Sequence, residues 1–144
     1  MKKIIYTRPD GGVSVVIPNI NTDETLTEEE ALQRSFKKLP SSAINPQIVE
    51  SNTISSDRTY RDAWVKEEKV ITTNITKAKD LTKDRLRSER KPLLEAQDIL
   101  FNRALETSED TSAIVTEKNR LRDITNQVDD MTTLNQLKAA TTDA

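Results

Sequence analysis

The apolar positions along the chain change period twice, and each change marks a change of element. Lys3 to Thr7 and Val13 to Ile17 are short runs of β-branched residues separated by Arg8-Pro9-Asp10-Gly11-Gly12. Pro sets φ, Asp closes a turn, and Gly supplies the positive φ of a bulged hairpin, so two antiparallel strands are predicted here. An isolated hairpin is marginal in water and needs a cover. Thr27-Glu28-Glu29-Glu30 has the spacing of a capping box, and Ala31, Leu32, Ser35, Phe36 and Leu39 make one face that Pro40 ends. Gln47 to Glu50 then reads as a third strand. Residues 1–56 are therefore expected to form a small β-rich head of ββαβ type. The run 57–73 is a junction with a short strand at Lys69 to Thr73.

From Ile75 the period lengthens to that of an α-helix, with Asn74 as its expected N-cap. Ile75, Ala78, Thr82, Leu86, Leu93, Ala96, Leu100 and Ala104 fall on one stripe of roughly 100°, the width of a packed face. The stripe stays in phase across Pro92, which predicts one kinked helix to Glu106 rather than two unrelated ones. After the polar turn Thr107 to Asp110, a second helix is expected over Thr111 to Val128, with Ile114, Leu121, Ile124 and Val128 on its face. So narrow a face is satisfied only against another helix, which makes 74–144 an antiparallel helical hairpin or a coiled-coil element. A short helix over Thr132 to Ala140 carries Leu134 and Leu137 and is expected to fray at its end. The predicted fold class is α+β, mostly α overall.

Composition sharpens this picture. Hydrophobic residues make up 34% and aromatics 3% against 32% charged, enough for a thin apolar seam but not a thick core. Lys and Arg number 22 and Asp and Glu 24, so the net charge is −2 and the chain is no polycation. It contains neither Cys nor His, which removes thiol nucleophiles, thiolate metal ligands and the commonest general base. Its two glycines are both in the hairpin turn, so no phosphate-cradling loop can be built. No catalytic residue, metal ligand or cofactor site is expected, and the chain is read as a binding protein rather than an enzyme. The apolar run after Met1 ends at Arg8-Pro9-Asp10, too short for a signal peptide, and no stretch approaches a membrane span.

Two clusters are candidate partner-binding residues. Lys79, Lys83, Arg87 and Lys91 recur every four residues and form a ridge of like charge. That suits an acidic protein surface; without interleaved aromatics it suits nucleic acid poorly. Its plainer use is a solvated face offset by Asp80 and Asp84. Arg58, Tyr60, Arg61 and Trp64 combine planar cations with amphipathic aromatics, the mixture enriched in binding hot spots. Its plainer use is to pin the head to the helical arm, with the arginines bridging Asp57 and Asp62. The run Glu28-Glu29-Glu30 is explained by the first turn of a helix, where carboxylates favour the macrodipole. Lys118, Arg120, Arg122 and Asp123 flank Leu121, and pairing across the hairpin with Asp98 or Glu95 is their expected use.

Three words occur in order: Ile4-Ile5-Tyr6-Thr7-Arg8-Pro9-Asp10-Gly11-Gly12-Val13-Ser14-Val15-Val16, then Asp57-Arg58-Thr59-Tyr60-Arg61-Asp62-Ala63-Trp64, then Lys118-Asn119-Arg120-Leu121-Arg122-Asp123-Ile124-Thr125. With Arg90-Lys91-Pro92-Leu93-Leu94 and Asp98 between them, this order resembles small proteins of the structural and assembly modules of tailed bacteriophages. The C-terminal half is also similar to the helical segment of phage tail-fibre assembly proteins. Those usually carry aromatics around the middle Asp, where this chain has Ile99, Leu100 and Phe101. The resemblance implies a virion-associated protein made in the host cytoplasm, binding phage structural proteins in several copies, or a dissociable assembly chaperone. A DNA-binding regulator using the cationic ridge is the third expectation.

Overall fold

A computed structural model describes residues 1–20 and 25–144. It divides into two compact units, Met1–Asn74 and Ile75–Ala144. The class is α+β and mostly helical, with a small N-terminal antiparallel sheet and one long helix. The run 57–73 belongs to the first unit.

In the first unit, β1 (Lys2–Thr7) is the central strand of a three-stranded sheet, flanked by β2 (Val13–Val16) and β3 (Ile44–Glu50), both antiparallel to it. The predicted turn joins β1 to β2. Arg8 N donates to Gly12 O at 2.8 Å, Gly11 N donates to Arg8 O at 2.9 Å, and Gly11 has φ 82°. Asp10 Oδ1 accepts from Gly12 N at 2.8 Å, as an Asx turn requires. Register slips between Ile5 and Thr7 where β3 carries an extra residue; Asn45, at φ 47°, and Pro46 lie in this bulge, where Pro's missing N–H costs no ladder bond.

Side chains alternate across a sheet, so Ile4 and Ile5 point to opposite faces, yet neither is exposed at all. Both faces of β1 are therefore covered. Against one packs α1 (Glu28–Lys37), which buries Ala31 and Leu32 and is capped as predicted, Thr27 Oγ1 accepting from Glu30 N and Glu30 Oε2 accepting from Thr27 N. Against the other packs a second hairpin, β4 (Trp64–Glu67) and β5 (Val70–Thr73), turned at Glu68 with φ 51°. Ile5, Val13, Val49, Ile54 and Trp64 form the core on that side. β4 is missing from the sequence-based prediction, which expected a strand only at 69–73.

The second unit begins with α2 (Ile75–Glu106), unbroken through Pro92 and about 48 Å long at 1.5 Å per residue. It is followed by α3 (Ser112–Arg122), which turns back along it. Contacts between Lys118 and Asp98 and between Arg90 and the end of α3 fix the pair as antiparallel. The predicted second helix is shorter than expected. It ends at Arg122, capped by Asp123, and Ile124–Val128 is a 3-10 turn that places Ile124 and Val128 in the buried interior. The last helix, α4 (Leu134–Ala139), has a capping box of its own between Thr133 and Gln136. The expected fraying is not found: Leu137 and Ala140 are buried and the following residues are tied down by side chains.

Candidate functional site

The site question turns on which face of α2 is covered and which is left open. Buried positions run Ala78, Thr82 and Leu86, then partly buried Arg90 and Leu94. Each step of four advances 400°, so this line winds by about 40° per step around the helix. Beyond Leu94 the covered positions are Gln97, Phe101 and Ala104, whose mixed steps of three and four hold a fixed direction under α3. The single stripe expected from the sequence is therefore split. Leu93, Ala96 and Leu100 lie roughly 90° from the line that α3 covers, and Leu93 and Leu100 are 41% and 45% exposed. Ile99 beside them is 54% exposed. These positions were expected to be packed; the structure places them on the surface.

The cationic ridge divides in the same way. Lys79 Nζ donates to Asp129 O at 2.9 Å, and Lys83 Nζ meets Asp129 Oδ1 at 2.6 Å. The hydrogen bond and charge of the Lys83 ammonium hold the Asp129 carboxyl below its ordinary value of 3.8, against desolvation and with a lesser contribution from Lys79. Half of the ridge is thus consumed in holding the 3-10 turn onto α2. Arg87 donates to Asp84 at 2.6 Å and is exposed, as the solvated-face reading has it; Lys91 is exposed. Asp80 and Asp84 do not divide the work as expected, because Lys83 goes to Asp129.

Three arginines act as clamps on backbone carbonyls, a use that the sequence reading did not give them. Arg90 Nη1 donates to Arg122 O at 2.5 Å and Leu121 O at 3.3 Å, closing the C-terminal end of α3. Arg85 Nη2 donates to Leu137 O and Ala140 O at 3.2 and 2.9 Å, doing the same for α4. Arg120 Nη1 reaches Thr142 O and Ala144 O at 2.7 and 2.9 Å, while its other nitrogens hold Glu117. A cation beside the unsatisfied carbonyls at a helix C-terminus is favoured by hydrogen bonding and by the macrodipole together. Lys118 pairs with Asp98 at 2.5 Å, as expected, and lies 5.0 Å over the Phe101 ring.

The Arg58, Tyr60, Arg61 and Trp64 cluster does not converge. Trp64 is 3% exposed in the core against Ile5 and Val13, and Tyr60 is 6% exposed. Neither aromatic is available to a partner, which corrects their assignment as contact residues; with one Trp and four other aromatics, the chain puts Trp64 into its core. Arg58 and Arg61 are exposed and make no ion pair among the described residues.

Elsewhere in the first unit a groove of about 500 Å³ is lined by Lys2, Glu29, Ile48, Val49, Glu50, Thr53 and Lys69. Its charges are of mixed sign, Lys2 and Lys69 against Glu29 and Glu50. Among the described residues no three of His, Cys, Asp or Glu are placed to hold a metal ion, and no helix is long and apolar enough to cross a membrane. The feature that stands out is the open apolar stripe on α2, beside the flank that α3 packs against. No protein-family model, no curated protein and no solved structure matches the chain.

Proposed function

We propose that this chain is a bacteriophage virion-associated structural protein of the tail or its attachments, working by protein–protein binding and not by turnover. The observation that carries the binding reading is the stripe Leu93, Ala96, Ile99 and Leu100 on α2. Three large apolar side chains there are each 41–54% exposed, on a helix whose neighbouring flank is packed by α3. Clustered apolar exposure on a rigid element is the usual mark of a surface meant for another protein. The phage setting comes from the ordered likeness of the hairpin, Arg58–Trp64 and Lys118–Thr125 words to tailed-phage proteins.

The test is mass spectrometry of purified particles of the phage that encodes the chain, with a Leu100→Glu mutant phage beside it. The protein should be present in mature virions at several copies, and the substitution should lower its incorporation at least about fivefold, the effect of placing a charge in an apolar contact. Detection only in lysate, bound to a fibre or tail protein, would make it a dissociable assembly factor instead. Absence from both would refute the phage reading.

A further inference from the structure

The open stripe has a symmetry and a charge pattern that say what fits it. Glu89, Pro92, Leu93, Ala96, Ile99, Leu100 and Arg103 share an arc of about 120° centred on Ala96. Such a face suits a second helix crossing at its small central residue. The apolar part is closed by an acid at one end and a base at the other. Arg103 makes no ion pair among the described residues, and Glu89 meets only the half-buried Arg85, at 3.0 Å through one carboxylate oxygen.

We infer that the occupant of this stripe is a second copy of the same chain, packed antiparallel about a two-fold axis at Ala96. Glu89 and Arg103 lie seven residues either side of Ala96, so the axis sets each against the other's counterpart, twice. Leu93 falls opposite Ile99 and Pro92 opposite Leu100, each pair also formed twice. The small side chain at the axis lets the two helices approach closely where they cross. Parallel pairing would stack Glu89 on Glu89 and Arg103 on Arg103, which is repulsive at both ends. An isologous contact needs one self-complementary patch, and this stripe is one. The strip from Glu89 to Arg103 is about 21 Å long, short of a standard interface, so the pair forms reversibly.

This inference rests on the reading of the stripe as a binding surface but not on the phage setting. Sedimentation velocity of the full chain from about 1 µM to about 500 µM should show a monomer–dimer equilibrium within that span. Ala96→Glu, which sets two carboxylates on the axis, should abolish dimers. Leu105→Glu, on the opposite side of α2, should leave them unchanged; circular dichroism confirms that both variants fold. Glu89→Arg and Arg103→Glu should each weaken dimerisation about tenfold, one like-charge contact being repeated by symmetry. The double exchange should restore it to within about threefold. A chain monomeric at about 500 µM overturns the inference and points to a helix of a different protein as occupant. A dimer indifferent to Ala96→Glu, or one that the double exchange fails to rescue, overturns it too. A monomer that is nevertheless found in virions would leave the proposed function standing and remove only the self-pairing.

Discussion

Leu86 and Leu93 are seven residues apart on what the sequence presents as one stripe, and the structure gives them opposite fates. Leu86 is 0% exposed and Leu93 is on the surface. Replacing Leu86 by Ala removes its methyl groups from a closed site where α2 meets the rest of the unit, and leaves a cavity that neighbours fill only in part. Such substitutions cost about 3–5 kcal/mol. A unit of 70 residues, Ile75–Ala144, has a total stability of roughly 3.5–10 kcal/mol at the usual 0.05–0.15 per residue. Leu86→Ala should therefore remove a third or more of it, lowering the thermal midpoint by about 12 °C or more. Leu93→Ala should cost no more than about 0.5 kcal/mol in dilute monomer, because the side chain loses little burial and Ala is the better helix former. Far-UV circular dichroism suits the measurement: α2, α3 and α4 hold 32, 11 and 6 residues against 10 in α1, so the helical signal reports this unit. Equal losses for the two variants would refute the winding of the buried line.

Other parts of the structure give separate expectations. The Asp129 carboxyl is held below 3.8 by Lys83, so its contribution is present above that value and lost as pH falls through the lower, folded one. Asp129→Asn should therefore flatten the acid limb of stability of the second unit, read as the urea midpoint at neutral pH against that at about pH 2.5; an unchanged limb would remove the Lys83–Asp129 contact from the account. Arg90→Ala should cost about 1 kcal/mol, and Arg90→Lys should recover little because a point charge cannot serve two carbonyls as the fork does; full recovery with Lys would mean that charge alone matters. Gly11→Ala should destabilise the first unit by about 1 kcal/mol, since φ is 82° there, while Gly11→Asn costs less. Trp64 emission, from the core of that unit, reports it; parity of Ala and Asn would argue against a left-handed Gly11.

Much of the fold was legible because local chemistry dictated it. Both glycines sit in one turn, Thr27 has Glu30 three residues on, and the long helix starts after Asn74 and ends at Glu106 as its periodicity indicated. What was not legible depended on which neighbour reaches which side. β4 went unread because its four residues, Trp64–Glu67, alternate too briefly to show a period, and the one Trp looked like a contact residue when it was the cover of Ile5 and Val13. The cationic ridge looked like a surface because the partners of half of it are not local: Lys79 and Lys83 find Asp129 some fifty residues away. The clamping role of Arg85, Arg90 and Arg120 was not legible, since a backbone carbonyl as partner leaves no mark in the sequence.

The misread stripe has a more general cause, and it bears on function. A helical wheel asks whether apolar residues share a face; it does not ask whether one neighbour can cover that face along its whole length. α2 is 32 residues long, while α3 is 11, so a single partner cannot line it. The 3-10 turn and α4 cover the first half from one direction and α3 covers the second half from another. The apolar line of the sequence runs straight through both halves, and only its first part is used inside the unit. Leu93, Ala96 and Leu100 keep the phase of a packed face without a packing partner in this chain. A helix wholly satisfied by its own fold has no use for that phase; a helix that meets a second one does. The excess of apolar order over intramolecular burial is thus the physical ground for the binding role proposed above, and its position on α2 is where the proposed partner would lie.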